Sequence, residues 1–307
     1  MSTSNNRVAI IGAGTIGLSF AALHLTKNPR SNVSIFDTRP NLEQYIESKL
    51  PGYLVDVDQA DCLSRLRIVQ DLAEAVKDAS IVQEQGPENA DFKRSIWPKI
   101  EQHAPEAALF WSSTSGIVAS EQSKDMQDKS RLVVVHPYNP PHIMPLLEVV
   151  PSSVTSQEVV DRTLEYWRGL GRVPVVIRKE CTGFVANRLA FALLREACSL
   201  VAQGVVSVED LDSVVQASMG PRWTVAGPFK SYHAGGGEGG LESFMQKIGG
   251  TVQECWDASD NDVKQGGIEV GRTWQDDVFR QTEKAYGVID TAERDRKTKA
   301  VLQAVSK

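Results

Sequence analysis

The stretch RVAIIGAGTIG, residues 7–17, decides the fold. A short β-branched run passes into a turn with the G-x-G-x-x-G pattern at Gly12, Gly14 and Gly17, and a helix-forming run, LSFAALHLTK, follows. A second apolar run, NVSIF, leads directly into Asp37. This order of strand, glycine turn, helix, strand and acid is the one that a dinucleotide-binding unit requires.

Each part of the turn has a physical task. Gly12 permits the tight turn, Gly14 lets the backbone approach a pyrophosphate, and Gly17 lets the helix pack closely on the strand. Thr15 and Ile16 stand at the start of the helix, where free N–H groups and the positive end of the helix dipole attract phosphates. These residues therefore predict a dinucleotide cofactor.

Asp37 indicates which dinucleotide is bound. Its carboxylate can accept hydrogen bonds from the adenosine ribose and would repel a 2′-phosphate, which favours NAD over NADP. Arg39 follows the acid closely and could meet a phosphate, so the strictness of this preference stays open.

Composition narrows the class of protein. The 307 residues carry a net charge of -6 without a basic block, so nucleic acid is not expected as a partner. No apolar run is long enough for a membrane span, and the N-terminal MSTSNN has no hydrophobic signal core, so a cytoplasmic location is expected. The four cysteines form no C-x-x-C, which suits a reducing compartment and argues against a metal site.

Strands alternate with helical stretches up to about residue 180. This alternation predicts a doubly wound, mostly parallel Rossmann sheet, and we place an NAD-binding domain at residues 1–181. Helical periodicity follows, so residues 182–307 are expected to form an all-α domain, with Thr182 as the N-cap of its first helix. The glycine-rich AGGGEGG in this domain looks flexible and could be a mobile cover or a solvated turn.

Four polar residues stand at strand ends or near the domain junction, and they are Ser115, His136, Glu148 and Asn187. Oxidising an alcohol with NAD needs a base for the hydroxyl proton, and histidine suits this task near neutral pH. A carboxylate such as Glu148 can fix the histidine tautomer and stabilise its cation. Ser115 and Asn187 can hold the reacting oxygen as neutral hydrogen-bonding groups.

Several motifs in a fixed order resemble the L-3-hydroxyacyl-CoA dehydrogenase superfamily. They are GAGTIG with Asp37, SSTSG, HPYNP followed by LLEVV, and GFVANR, and the resemblance covers roughly residues 7–245. It implies that Ser115, His136, Glu148 and Asn187 form the active site, and that the chain is a homodimer through its helical domain.

Finer features resemble the group of λ-crystallin, L-gulonate 3-dehydrogenase and L-carnitine dehydrogenase. They are SSTSG, HPYNPP, and RW followed by GP and SYHAGGGEGG. This resemblance implies that Glu88, Lys93 and Asn139 contact NAD. The family usually has a long helical hairpin after the second strand, which in the acyl-CoA enzymes helps to hold CoA, and this chain has only the short segment PNLEQYIESKLPGYLVDVDQADCLS there.

The short segment favours a small free hydroxy acid as substrate. Three alternatives stay open: a short-chain 3-hydroxyacyl-CoA dehydrogenase, a non-catalytic crystallin-like NAD-binding protein, and a biosynthetic dehydrogenase for a specialised hydroxy acid or ketone. Arg222, after a Gly-Pro turn, could bind a substrate carboxylate, or it could form a surface salt bridge. The nearby aromatic residues Trp223, Phe229 and Tyr232, with Tyr138, could bind a quaternary ammonium, but ordinary core packing is the favoured reading.

Overall fold

The structure, a computed structural model, describes residues 6–305. All of the segment MSTSNN except Asn6 lies outside the described residues. The chain divides into two compact units, of which unit 1 ends at Asn187 and unit 2 begins at Arg188. The domain boundary that the sequence places after residue 181 stays a prediction.

Unit 1 contains an eight-stranded sheet. Its strands are β1 (Arg7–Ile11), β2 (Asn32–Phe36), β3 (Leu66–Val69), β4 (Ile81–Glu84), β5 (Leu109–Ser112), β6 (Leu132–Pro137), β7 (Leu146–Pro151) and β8 (Val173–Val176). They lie in the order β3-β2-β1-β4-β5-β6-β7-β8. All neighbouring pairs are parallel except β6 and β7, which run antiparallel. The predicted mostly parallel, doubly wound sheet is confirmed.

Helices cover both faces of this sheet. They are α1 (Thr15–Lys27), α2 (Leu42–Lys49), α3 (Gln59–Ser64), α4 (Leu72–Val76), α5 (Ala90–Glu101), α6 (Ala119–Gln122) and α7 (Gln157–Gly169). Val8 and Ile10 of β1 belong to one hydrophobic cluster, and Ala9 and Ile11 belong to another. Because successive side chains of a strand point to opposite faces, both faces are buried, as in parallel sheets flanked by helices.

The segment between β2 and β3 is compact. It consists of α2, a 3₁₀ turn at Leu50–Tyr53, and α3. Leu42, Ile46, Leu50 and Leu54 bury their side chains in the same cluster as helix α1. This short segment packs on the core, so its place in the chain does not hold a long helical hairpin.

Unit 2 is helical, and its first helix begins in unit 1. The helices are α8 (Ala186–Ala202), α9 (Val208–Ala217), α10 (Met219–Val225), α11 (Pro228–Gly235), α12 (Gly240–Gln265), α13 (Trp274–Tyr286) and α14 (Thr291–Val305). The N-cap prediction for Thr182 is wrong, because a turn with Phe184 at φ 51° separates it from the start of α8. The Ser207 hydroxyl accepts a hydrogen bond from the amide of Asp210 and caps α9.

Two segments of unit 2 differ from their sequence-based reading. AGGGEGG is not an open loop: it forms the end of α11, a 3₁₀ turn at Gly237–Gly239 and the start of α12. A Cβ on Gly236 would lie 1.7 Å from the carbonyl oxygen of Gly240, so close packing of the backbone explains a glycine at this position. The Gly-Pro pair before Arg222 lies inside α10 and is not a turn.

Hydrophobic side chains are distributed very differently in the two units. Unit 1 has two large buried clusters, whereas Cys198 and Val201 are the only buried hydrophobic side chains among the described residues of unit 2. Along residues 6–305, no helix combines the length and apolarity that crossing a membrane would require.

Candidate active site

The glycine turn joins β1 to α1 as the sequence predicts. Gly12 has φ 110°, and a Cβ on it would lie 2.8 Å from the carbonyl oxygen of Gln85. A Cβ on Gly17 would lie 1.9 Å from the carbonyl oxygen of Gly12. A Cβ on Gly14, in contrast, would meet nothing within 4 Å. The turn is therefore tight on its inner side and open at Gly14, and this open backbone in front of the helix start fits a pyrophosphate.

Asp37 is fixed against this turn. Its Oδ2 accepts a hydrogen bond of 2.8 Å from the amide of Ala13, and its Oδ1 accepts one of 3.0 Å from the amide of Arg39. The guanidinium of Arg39 lies over the ring of Tyr45, 3.7 Å from its centroid, and within 3.5 Å of Asp37. The acid thus stands beside the glycine turn, where a ribose hydroxyl would have to be recognised, and Arg39 is held by a ring and a carboxylate.

His136 and Glu148 face each other across the antiparallel pair of strands. They are directly opposed in the register of β6 and β7, which brings their side chains to the same face of the sheet. His136 Nδ1 lies 2.8 Å from Glu148 Oε2, and both side chains are buried. Since an ionised carboxylate only accepts hydrogen bonds, His136 carries a hydrogen on Nδ1, and the neutral form of the ring therefore has its lone pair on Nε2.

Glu148 also binds the start of helix α8. Its Oε1 accepts hydrogen bonds of 2.8 Å from the amide of Val185 and 2.9 Å from the amide of Ala186. Burial raises the pKa of Glu148, but the hydrogen bonds from His136, Ala186 and Val185 outweigh it and hold the pKa below its ordinary value. The carboxylate is therefore ionised at neutral pH and supplies the negative charge that a helix N-terminus favours.

Ser115 lies on an exposed loop that Glu88 holds in place. One carboxylate oxygen of Glu88 accepts hydrogen bonds of 2.5 Å from the hydroxyl of Thr114 and 3.0 Å from the amides of Ser115 and Gly116. Asn187, the last residue of unit 1, donates a hydrogen bond of 3.4 Å from Nδ2 to the carbonyl oxygen of Ser115. This loop and the start of α8 are thus in contact.

The same short stretch of chain connects all four predicted catalytic residues. Residues 184–187 contact His136 through the ring of Phe184, at 5.3 Å between centroids, and Glu148 through the amides of Val185 and Ala186. Asn187 then reaches the loop of Ser115. The structure therefore brings a histidine, its carboxylate partner and two neutral polar groups into one region of unit 1.

Lys93, a predicted contact of the cofactor, is buried in an ion pair with Glu84. Its Nζ is 2.8 Å and 3.0 Å from the two carboxylate oxygens of Glu84, and its side chain is 1% exposed. Glu84 also accepts hydrogen bonds from the amide of Gly86 and the hydroxyl of Ser112. Lys93 thus belongs to a buried ion pair that joins β4 and α5, and its contact with NAD stays a prediction.

Three other predicted site residues lie at exposed positions, whereas Ile16 is partly buried against the hydrophobic cluster of α1. Asn139 is exposed after β6, Thr15 is exposed at the start of α1, and Arg222 is exposed on α10. Trp223 and Phe229 are also exposed, Phe229 by 78%, so the favoured reading of these aromatic side chains as core residues is wrong.

Sequence reasoning missed several residues that shape the site. Glu84 is the carboxylate inside the sheet, Thr114 connects Glu88 to the loop of Ser115, and Phe184 packs on His136. A glutamate ending the buried run IVQE was the available signal for Glu84, because an ionised side chain in the core needs a partner. The contact of Phe184 had no comparable signal, since it depends on the backbone turn that precedes α8.

The chain matches known proteins over both units. Residues 7–181 match the family model described as 3-hydroxyacyl-CoA dehydrogenase, NAD binding domain, and residues 183–274 match 3-hydroxyacyl-CoA dehydrogenase, C-terminal domain. A 3-hydroxyacyl-CoA dehydrogenase of Gibberella moniliformis is 38% identical over 78% of this chain and 76% of its own length. An L-carnitine dehydrogenase of Streptomyces griseus is 34% identical over 98% of this chain and 90% of its own length.

A solved structure resembles this chain over nearly its whole length. It is a 5-formyl-3-hydroxy-2-methylpyridine 4-carboxylic acid 5-dehydrogenase, described as an NAD+-dependent dismutase. The two chains have a TM-score of 0.78 and 28% identity, and the likeness covers 99% of each. With the open glycine turn and Asp37, these matches identify NAD as the cofactor that unit 1 is built to hold.

Proposed function

Because this chain belongs to the 3-hydroxyacyl-CoA dehydrogenase family and is an NAD-dependent oxidoreductase acting on a CH–OH group, we propose that it oxidises the 3-hydroxyl of a small free hydroxy acid with His136 as the base. The observation that carries this proposal is the buried hydrogen bond of 2.8 Å between His136 and Glu148. It leaves one ring nitrogen with a lone pair and pairs the other with a carboxylate.

The cofactor would be held by the residues of the glycine turn and its surroundings. They are Gly12, Gly14, Thr15, Ile16, Gly17 and Asp37, with Asn139 as a further contact. Bound NAD supplies the acceptor for the hydride that leaves C3 of the substrate. Glu88 is tied to the loop of Ser115, so we assign it the task of holding that loop beside the cofactor site.

His136 takes the hydroxyl proton on Nε2 as the alcohol becomes a carbonyl. The imidazolium that results is stabilised by Glu148, which accepts the hydrogen bond from Nδ1 throughout and keeps the ring in one orientation. Glu148 can do this at neutral pH because its lowered pKa keeps it ionised. The proton thus moves between substrate and histidine, and the carboxylate stays unprotonated.

Ser115 and Asn187 would hold the reacting oxygen. A hydroxyl and a side-chain amide can both donate hydrogen bonds to an alcohol oxygen and to the carbonyl oxygen that it becomes. The bond between Asn187 and the carbonyl of Ser115 supports this assignment, because it keeps the two residues together. Arg222 is offered as a partner for the substrate carboxylate, and its exposed position on α10 leaves its guanidinium accessible.

A free acid is favoured over a CoA ester by the compact α2–α3 segment, where the acyl-CoA enzymes of the family hold CoA with a hairpin. Two of the relatives that match nearly the whole chain are named for small free acids, L-carnitine and a pyridine carboxylic acid. The competing candidate is a 3-hydroxyacyl-CoA substrate, which the relative from Gibberella moniliformis favours at 38% identity. A crystallin-like protein without activity and a biosynthetic dehydrogenase are the remaining alternatives.

We further propose a homodimer that forms through unit 2. Leu189, Phe191 and Leu194 of α8 are 63%, 60% and 56% exposed in the single chain. Apolar side chains clustered on one helix favour burial against another protein surface. The cytoplasmic location expected from the sequence stays a prediction.

A turnover assay tests the proposed function. The protein with NAD is given L-carnitine, L-gulonate, 3-hydroxybutyrate and 3-hydroxybutyryl-CoA, and NADH formation is followed. We expect turnover of a free acid and none of the CoA ester. His136→Gln should lower kcat at least about a hundredfold, the usual scale of general acid–base catalysis, while NADH still binds. His103→Gln, at an exposed histidine, is the matched control and should be normal.

Each possible result bears on a different alternative. Preference for the CoA ester would overturn the proposed substrate class, and near-normal turnover by the His136 variant would overturn the proposed base. Tight NADH binding without turnover of any of the four substrates would favour a non-catalytic role or a more specialised substrate.

A further inference from the structure

A second histidine of unit 1 is buried, polar and unused by the proposed chemistry. His24 lies in α1, the helix that follows the glycine turn, and its side chain is fully buried. Its Nδ1 lies 2.8 Å from the hydroxyl of Tyr166, and its Nε2 lies 3.0 Å from Oε1 of Gln83. Gln83 Nε2 in turn donates a hydrogen bond of 3.3 Å to the hydroxyl of Ser113.

The donors in this chain of hydrogen bonds have one consistent direction. The amide nitrogen of Gln83 faces Ser113, so its oxygen faces His24 and can only accept. His24 therefore carries its hydrogen on Nε2, and its Nδ1 accepts from the hydroxyl of Tyr166. Burial lowers the pKa of His24 to about 4, against a smaller opposing effect of the bond to Gln83, so the ring is neutral at physiological pH. Only a neutral ring can donate from Nε2 and accept at Nδ1, as these two hydrogen bonds require.

This series of hydrogen bonds ends at Ser113, which connects the surroundings of the glycine turn to the loop of Ser115. The hydroxyl of Ser113 also accepts a hydrogen bond of 3.5 Å from Nε2 of Gln85. The carbonyl of Gln85 lies against Gly12, and its side-chain oxygen lies against Gly17, at 2.8 Å and 3.1 Å from where a Cβ would stand. Ser113 itself belongs to SSTSG, the loop of Ser115.

We propose that His24 is a positioning residue, which holds the loop of Ser115 in register with the glycine turn through Gln83 and Ser113. This inference rests on the role proposed above for Ser115. Its physical basis is that a fixed, buried donor–acceptor chain leaves Ser113 one position relative to α1, whereas an apolar side chain at residue 24 would leave the amide of Gln83 free to turn.

The test compares His24→Leu, which removes both hydrogen bonds, with His24→Gln, which keeps a neutral donor and acceptor. At saturating NAD, we expect His24→Leu to lower kcat/KM for the hydroxy acid about tenfold or more, because small displacements around reacting groups are costly. His24→Gln should recover most of this loss. Thr163→Val is the matched control: it removes the buried hydrogen bond from Trp111 on the same side of the core, so it should lower Tm and leave kcat and KM unchanged.

Two further measurements keep the inference open to refutation. Ser113→Ala removes the last hydroxyl in the series of hydrogen bonds without changing the core around His24. It should lower kcat/KM about as much as His24→Leu. In ¹⁵N-histidine NMR spectra, one of the five histidines should stay neutral and protonated on Nε2 between pH 5.5 and pH 8, and its signal should vanish in His24→Leu or His24→Gln. Normal kcat/KM in both His24→Leu and Ser113→Ala, or an Nδ1-protonated ring, would overturn the inference.

Ser115→Ala separates this inference from the proposed function. If that variant is as active as the unaltered protein, the role of Ser115 fails, and the reason for a positioned loop fails with it. If Ser115→Ala is inactive while His24→Leu and Ser113→Ala turn over normally, only the positioning role of His24 fails.

Discussion

At the scale of single residues, the site is organised by carboxylates that each satisfy several donors. Glu148 binds His136 and two amides, and Glu88 binds one hydroxyl and two amides. Glu84 binds Lys93, Ser112 and an amide. Glu148 and Glu84 are buried, and a buried carboxylate is tolerated only with such partners, whereas Glu88 is exposed and holds its loop through the same number of hydrogen bonds. Removing any one of these carboxylates should therefore disturb more than one element.

The substitution Glu148→Gln tests this expectation at the carboxylate beside His136. At neutral pH the change weakens a charge-assisted hydrogen bond and the binding of the α8 start, which should destabilise the protein by about 2 kcal/mol and lower kcat. The folded pKa of Glu148 lies below its ordinary value of 4.5, so its stabilising contribution is complete above that pH and is lost as the pH falls towards the folded pKa. Urea unfolding at several pH values should show the difference between the two proteins narrowing below about pH 4.5. A difference that is constant with pH would contradict the ionised carboxylate.

At the scale of elements, the turn between β1 and α1 combines two different demands on glycine. At Gly17 a side chain would collide with the backbone of Gly12, whereas at Gly14 the space is open and the backbone angle, φ -71°, suits any residue. Folding therefore requires glycine at position 17, whereas access for the cofactor explains the glycine at position 14.

Gly14→Ala and Gly17→Ala separate these demands. We expect Gly14→Ala to fold with an unchanged Tm and to bind NADH at least about tenfold more weakly, because its methyl group occupies the approach to the pyrophosphate. Gly17→Ala should lower Tm as well, since its Cβ overlaps the carbonyl of Gly12. Thermal unfolding and NADH titration of both variants provide the check. Normal NADH affinity in Gly14→Ala would place the pyrophosphate elsewhere.

At the scale of the whole molecule, the two units differ in how completely they bury their apolar side chains. Unit 1 encloses the sheet in two hydrophobic clusters, whereas the helices of unit 2 leave large apolar side chains exposed along α8 and beyond. Burial of apolar surface is the main driving force of folding and association. The exposed apolar side chains of α8 therefore support the proposed dimer.

A double variant on α8 tests the dimer. The unaltered protein should have twice the mass of one chain in light scattering after size exclusion, and Leu189→Asp with Phe191→Asp should shift it to monomer or to aggregate. Val154→Asp, at an exposed valine of unit 1, is the control and should leave the mass unchanged. A monomeric unaltered protein would refute the dimer.

The sequence by itself determined the elements of unit 1 and its cofactor. The periods of its strands and helices, the glycine turn and Asp37 are local patterns, and the predicted sheet and NAD cofactor are confirmed. The sequence also marked His136 and Glu148 as a pair, through their positions on strands and through a resemblance, and their catalytic roles stay predictions.

Tertiary structure decided how the functional residues meet. The antiparallel pairing of β6 and β7 puts His136 directly opposite Glu148, and no local pattern specifies which strands become neighbours or in which register. The hydrogen bonds that lead from His24 through Gln83 to Ser113 likewise join residues that are distant in the chain. Local sequence fixes backbone preferences, whereas hydrogen-bond partners depend on which surfaces the packed sheet brings together.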